Sequence, residues 1–403
     1  MAEHSLIHSA MQHFFTLPIT KKIPLTSLVC LLLMQCNPAQ KRAVDLQNLD
    51  YTVEEAHDWN ALFLRKSGWL GADGIFAIPL DGKDNDNATK QSENLLIFSD
   101  TVIGEITDST LHEGAEIVNN TVAYLKGSEP KADDVDFQWT KNSIQKPAPL
   151  FVPKTLHAKP ADYYWLGDGF LNTENDSIYI FGHRMRNLDT TEAWSFKEMA
   201  TDLIALGRSS RPPFTDQRQI ETPLGLQENS FGAGIFTNTK SSGAKNADGY
   251  IYVYGNRKGL IVGRVKPEAF ENFQTWQYWD GKDWKADMAQ AKTVADSVSN
   301  ELSVSALPDG RYVLIFTLGG MGPTVGMRLG ETPYGPFGPV IKLYEGKEMQ
   351  RKNHIIYNAK AHPSLSAPGE LLISYNVNAF DFWNELKASP NLYRPRFIRL
   401  KFK

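Results

Sequence analysis

Five times along the 403-residue chain, a short strand-forming segment is followed by a turn and a second, apolar strand ending near an aromatic. The copies run from Ala72–Ile78 to Leu95–Ser99, from Gly167–Leu171 to Ile178–Gly182, from Gly232–Phe236 to Ile251–Gly255, from Glu301–Ser305 to Val313–Thr317, and from Ala359–Pro363 to Leu371–Asn376. Their aromatic anchors are Phe98, Phe181, Tyr254, Phe316 and Tyr375, spaced roughly 60 to 80 residues apart. Turn signals such as Asp248-Gly249, Asp309-Gly310 and Pro368-Gly369 separate runs rich in Ile, Val, Tyr and Phe. Helical periodicity is weak throughout. That unit length holds four antiparallel strands, and four-stranded sheets repeated around an axis make a propeller. The expectation is an all-β, five-bladed β-propeller over residues 50–403, with a β-sandwich as the alternative for regularly spaced strands. Closing such a ring removes exposed edges, and Trp59–Leu64 is expected to pair with Arg396–Leu400 for that purpose.

Composition narrows the class. Aromatics make up 11% of the chain and hydrophobics 42%, too many for a disordered segment, and two cysteines cannot make a disulfide scaffold. Lys+Arg (42) fall below Asp+Glu (46) with no long basic run, so a nucleic-acid partner is not expected.

The first 36 residues read as a leader. Lys21-Lys22 precede the apolar stretch from Ile23 to Met34, too short for a spanning helix and suited to a signal-peptide core. Cys36 stands where bacterial lipoprotein signals carry their lipidated cysteine, although Met34-Gln35 replaces the usual small residues. Residues 1–36 are therefore expected to be a lipoprotein-type signal and 37–49 a tether, placing a monomer at the cell envelope, periplasm or outer membrane, held by lipid alone. A cleaved signal and an uncleaved anchor remain the alternatives.

The first strand of each blade lines the centre of a propeller, and here these segments are polar. Asp73 lies in Trp69-Leu70-Gly71-Ala72-Asp73-Gly74, and Asp168 in the near copy Trp165-Leu166-Gly167-Asp168-Gly169. The third repeat brings Glu228, the fourth Glu301, the fifth Lys360 and His362. Carboxyls crowded in one funnel raise each other's pKa and prepare an acid and a base at one pH. A lone Asp-Gly is more often a turn; the equivalent repeat positions of Asp73 and Asp168 favour chemistry. Trp69, Trp165, Tyr163, Tyr164 and Trp383 suit either stacking on sugar faces or packing between sheets. His183-Arg184 suits a clamp on a hydroxyl or carboxylate, or an exposed loop pair. The run Asp81–Asn87 alternates oxygen donors but lacks a distal Glu at EF-hand spacing, so it reads as a polar hairpin loop and no metal is expected. No phosphate loop, serine-hydrolase elbow or zinc-protease helix is present, and no cofactor is expected.

These motifs, with Ile97-Phe98-Ser99-Asp100-Thr101, Val118-Asn119-Asn120-Thr121, Tyr252–Gly255 and Gly259–Val265, resemble the five-bladed propeller proteins grouped as domain-of-unknown-function families 4185 and 5005. The resemblance spans most of residues 59–400; Ser99 stands where relatives often have Gly. It implies an architecture similar to arabinanase- and invertase-type glycosidases, the first family including endo-D-arabinanases. It also implies a carbohydrate-active role in polysaccharide degradation, with Asp73 the position carried over most directly, Asp168 next, and Asp100 and Asn120 joining the substrate-binding set. The leading expectation is a glycoside hydrolase cleaving a poly- or oligosaccharide, arabinan among the possible substrates. In it Asp73 is base or nucleophile, Glu301 or Glu228 the acid, and Asp168 the tuning group. Trp69, Trp165, His183, Arg184, Lys360 and His362 are expected to hold substrate. A non-catalytic glycan-binding lipoprotein and a protein-interaction propeller are the competing expectations.

Overall fold

Strand-forming segments of the kind read above build five larger antiparallel sheets, beside two small ones, in a computed structural model that describes residues 43–403, except 88, 128, 189–194, 227, 228, 257 and 352. The leader, Cys36 and Glu228 lie outside the described residues. The first sheet orders Phe76–Pro79, Glu93–Phe98, Thr121–Lys126 and Val135–Gln138; the second Tyr163–Asn172, Ser177–Asn187, Phe196–Gly207 and Arg218–Glu221. The third is built on Asn229–Asn238, Tyr250–Asn256, Leu260–Val265 and Gln277–Trp279; the fourth on Ser303–Ala306, Tyr312–Thr317, Thr324–Gly330 and Ile341–Glu345. The fifth joins His354–Ala361, Glu370–Ala379 and Arg396–Phe402 to the N-terminal strand Tyr51–Glu55. Each meander contains one of the five sequence repeats as its first hairpin. The turn glycines Gly249, Gly310 and Gly369 take φ of +78°, +90° and +82°, the left-handed conformation for which glycine suits such turns.

Side chains alternate across each strand, so a sheet buried on both faces needs apolar residues at successive positions. Ile178 and Ile180 join an apolar layer with Ile78, Leu95 and Val122 of the first sheet. Their neighbours Tyr179 and Phe181 join the layer with Phe231 and Val253 of the third. Equivalent layers link third to fourth sheet through Tyr254 and Phe316, fourth to fifth through Ile315 and Ile373, and fifth back to first through Leu372 and Phe98.

The terminal pairing differs from expectation. Tyr51–Glu55, not Trp59–Leu64, pairs with the C-terminal strand, Val53 opposite Leu400. His57–Leu62 is instead a short helix, because Trp59, Leu62 and Phe63 fall at helical spacing and bury one face. Trp59 and Phe63 pack on Phe397 at ring-centroid distances of 5.6 and 5.1 Å. A second helix, Phe382–Ala388, follows the fifth sheet's central strand.

A small sheet of Ser67–Ala72 and Thr101–Thr107, with short partners, flanks the first sheet. It delivers Asp73 and Asp100 to the same end of the first hairpin.

Candidate functional site

Irregularities recur where the first strands begin. Register breaks fall between Leu166 and Gly169, Phe231 and Gly234, and Tyr357 and Lys360, in three sheets at matching positions. Bulges of this kind re-aim side chains and end pairing. Asp168 sits in the first break, Asn358 in the third at a φ of +57°, and Asp73 and Glu301 just before the first strands of their own sheets. Asp100 follows the second strand of the first sheet, which runs antiparallel and so ends at this same side.

Asp73 and Asp100 are tied through the backbone. Asp73 N–H donates to Asp100 O at 3.2 Å and Ser99 N–H to Asp73 O at 3.0 Å. The Asn376 side chain pins the loop by accepting from Gly74 N–H at 3.3 Å and donating to Ala72 O at 3.4 Å. Ser99 Oγ accepts from Leu166 N–H at 2.8 Å, so the serine fastens first sheet to second. Burial, then the Asp100 charge, raise the Asp73 carboxyl well above its ordinary range, against the pull of the Tyr357 hydroxyl, which donates to Oδ2 at 2.6 Å. Burial likewise raises Asp100, against the Asn119 amide, which donates at 3.1 Å, and the Trp165 indole. Trp165 is half-buried and meets Phe196 edge-on at 4.7 Å.

Glu301 is engaged on both oxygens. Asn358 Nδ2 donates to Oε1 at 2.7 Å, and the fully buried Lys360 pairs with Oε2 while lying 4.3 Å from the Phe76 ring centroid. Lys360 therefore holds Glu301 instead of reaching substrate.

Beneath this level lies a narrow cavity of about 50 Å³ whose lining includes Asp84, Asp168, Thr237, Ser305, Lys360 and His362. Asp168 accepts Gly169 N–H at 2.8 Å and Ile235 N–H at 2.6 Å; burial and then the Asp84 charge still push it up to about 8. Asp84, from the loop read as merely polar, crosses to Thr237, whose hydroxyl donates to it at 3.0 Å; burial pushes Asp84 up to about 7. His362 is buried, with Nε2 2.7 Å from Ser374 Oγ, and burial followed by the Lys360 charge drives it down to about 3. It is a neutral wall of the cavity, not a substrate clamp.

Three further expectations are corrected. Trp69 is fully buried, stacked on Phe137 at 4.5 Å and tilted against Phe98 at 5.1 Å, and offers no face to a sugar. Asn120 is also fully buried; it donates to Phe151 O and Tyr164 O at 2.8 and 3.2 Å and accepts Phe151 N–H at 2.8 Å, clipping two chain segments together. Arg184 points to the opposite face of its strand from His183, as alternation requires, toward Asp202 and Thr155, 3.6 and 2.6 Å away.

His183 stays with the site. Its Nδ1 lies 3.2 Å from Glu198 Oε1 and 2.8 Å from Ser230 Oγ. Burial opposes charge on the imidazole, but Glu198 outweighs it and holds the pKa above its ordinary value. Tyr357, Glu198 and Asp84 were not singled out as site residues in the sequence. The alternating donors of Asp81–Asn87 are the only one of these signals visible there.

Carboxyls at one end of successive sheets, together with a polar cavity, define an all-β protein with an acidic site. The chain belongs to the family described as Domain of unknown function (DUF5005), whose model matches residues 56–402. Its fold is similar to that of a Bacteroides ovatus ATCC 8483 protein described as a candidate hydrolase, with 20% identity, a TM-score of 0.67, and coverage of 90% of this chain and 97% of that one. Other similar structures include the α-L-arabinofuranosidase PaAbf62A from Podospora anserina, at 11% identity, TM-score 0.42 and coverage of 83% and 97%. The GH43 protein BlXynB from Bacillus licheniformis stands at 13% identity, TM-score 0.43 and coverage of 81% and 51%. A search of the curated proteins gives no match.

Proposed function

We propose that this protein is a glycoside hydrolase whose Asp73–Asp100 pair activates water at the anomeric carbon of a poly- or oligosaccharide. The observation that carries the reading is this pair itself: two carboxyls linked by a backbone hydrogen bond, both with raised pKa values, beside Trp165 and under the Tyr357 hydroxyl. Such a pair gives up its second proton reluctantly, and one carboxylate then accepts a proton from water near neutral pH. Trp165 supplies a half-buried aromatic face for a sugar ring. Asp168, satisfied by two backbone N–H groups beneath, tunes the field and does not transfer a proton. The five sheets, in cyclic contact, are read as five blades of a propeller, and the resemblance to family 4185 makes an arabinan-like glycan the first substrate to try. The leader and Cys36 would place the enzyme on a lipid anchor at the cell envelope; mass spectrometry of the mature N terminus tests this through the diacylglyceryl mass on Cys36. Incubation with plant, host and bacterial-envelope glycans, with product detection, tests the activity.

One observation favours a second reading. Glu301, one of the two expected acids, is tied on both oxygens, as in a glycan-binding protein without catalysis, and Glu228, the other, lies outside the described residues. Calorimetric binding with no product over long incubation selects that reading.

A further inference from the structure

Hydrolysis of a glycosidic bond needs a proton for the departing oxygen as well as a base for water. Of the acids considered for this proton, Glu228 lies outside the described residues, Glu301 is engaged by the Asn358 amide on one oxygen and paired with the Lys360 ammonium on the other, and Asp168 accepts two backbone N–H groups at the cavity. Among the described residues, a different group at this end of the sheets can carry a proton. His183 lies opposite Trp165 in the register of the second sheet, so the two side chains share a face. Leu166, next to Trp165, donates its N–H to the side chain of Ser99, next to Asp100, at 2.8 Å, so this face adjoins the carboxyl pair.

The imidazole is held from behind. Glu198, on the next strand, and Ser230, from the third sheet, both meet Nδ1, at 3.2 and 2.8 Å, and Ser230 also donates to Glu198 at 2.8 Å. Thr201 donates to the same carboxylate oxygen at 3.0 Å. A carboxylate on Nδ1 fixes that nitrogen as the N–H of the neutral ring and leaves Nε2 as the atom that gains or gives a proton. Serine on the same nitrogen as the carboxylate is the wrong arrangement for a serine nucleophile, which would need its hydroxyl on Nε2. Nε2 lies along Gly167, where an added Cβ would come within 2.7 Å of it, so the glycine before Asp168 keeps that ring edge clear. The carboxylates acting on the ring are Glu198 behind and Glu301 across the site, and both favour the imidazolium.

We propose that His183, aligned through Nδ1 by Glu198 and Ser230, is the proton donor to the departing glycosidic oxygen. The inference rests on the hydrolase reading above. In the step, the C1–O bond breaks as the Nε2 proton passes to the leaving oxygen. Water adds to C1 and gives its proton to the Asp73–Asp100 carboxylate. The carboxyl then loses that proton to solvent and the neutral imidazole regains one, restoring both groups with one water consumed. Glu198 is a positioning residue that acts through His183.

The test compares wild type, His183→Gln, Glu198→Gln and Asp73→Asn, each checked for folding by circular dichroism. The substrates are a glycan the wild type cleaves and the 2,4-dinitrophenyl glycoside of the sugar released. The second needs little help in departing. His183→Gln is expected to slow glycan cleavage about 10²–10⁴-fold while leaving the dinitrophenyl glycoside within about tenfold of wild type. Asp73→Asn is expected to depress both. Glu198→Gln keeps an acceptor for Nδ1–H but removes the charge favouring the imidazolium, so the basic limb of the pH–rate profile moves to lower pH. Equal losses by His183→Gln on both substrates, no loss on the glycan, or an unmoved basic limb in Glu198→Gln overturns the assignment and leaves the hydrolase standing. A wild type that cleaves no glycan overturns the hydrolase reading itself.

Discussion

Tyr357 donates its hydroxyl to Asp73 Oδ2 at 2.6 Å across 284 residues of chain, joining the fifth sheet to the loop that opens the first. The bond favours the ionised carboxyl, while burial and Asp100 oppose it. Removing it in Tyr357→Phe therefore raises the Asp73 pKa further. Because the base must be deprotonated, the acid limb of the pH–rate profile is expected to move to higher pH, with the basic limb unchanged. An acid limb that stays in place contradicts the role given to this bond.

Two tryptophans in near-identical motifs are expected to behave oppositely. Trp69 fills an aromatic cluster with Phe63, Phe98 and Phe137, so Trp69→Ala should cost about 3–5 kcal/mol of stability. Trp165 stands half-buried at the site, and Trp165→Ala should leave the unfolding midpoint nearly unchanged while raising KM for the glycan. Thermal melts and steady-state kinetics on both variants separate the two roles.

Buried carboxyls also make stability depend on pH. Asp84 and Asp168 have folded-state pKa values of about 7 and about 8, above their unfolded value. Between the unfolded and folded pKa values the native state binds more protons than the unfolded chain, so stability falls as pH rises through that window. In Asp84→Asn the amide oxygen still accepts from Thr237, but the ionisation is gone. Its melting temperature should fall less than that of wild type between pH 5 and about 8. A parallel fall in both proteins would show that Asp84 is not held neutral.

The N-terminal strand covers an edge of the fifth sheet, with Val53 opposite Leu400. Val53→Pro removes a backbone donor and disturbs this pairing, leaving the edge exposed. A lower unfolding midpoint and concentration-dependent association in light scattering are expected; a monomer of wild-type midpoint would mean the strand does not matter.

The fold was legible where local chemistry decides it. Continuous apolar runs such as Ile178-Tyr179-Ile180-Phe181 suit a sheet buried on both faces, and Asp-Gly turns mark hairpin tips. Closure was expected at Trp59–Leu64, whereas the pairing strand is Tyr51–Glu55, whose alternating exposure suits an edge. Asp73, Asp100, Trp165 and His183 could be named as candidates from the sequence, but the contacts that hold them could not. Tyr357 reaches Asp73 from a strand far away in the chain and Glu198 reaches His183 across a sheet register, and nothing in their local sequence distinguishes them from packing residues. Trp69 and Trp165 show the converse: similar motifs receive different environments because Phe63 and Phe137, from outside the repeat, close over only one of them.

The central claim, that the Asp73–Asp100 pair hydrolyses a glycosidic bond, is tested most directly by a product screen on plant, host and bacterial-envelope glycans with wild type and Asp73→Asn side by side. The account predicts oligosaccharide products from at least one glycan with wild type and a rate about 10²–10⁴-fold lower from an equally well-folded Asp73→Asn. Full glycan-cleaving activity in folded Asp73→Asn would contradict it.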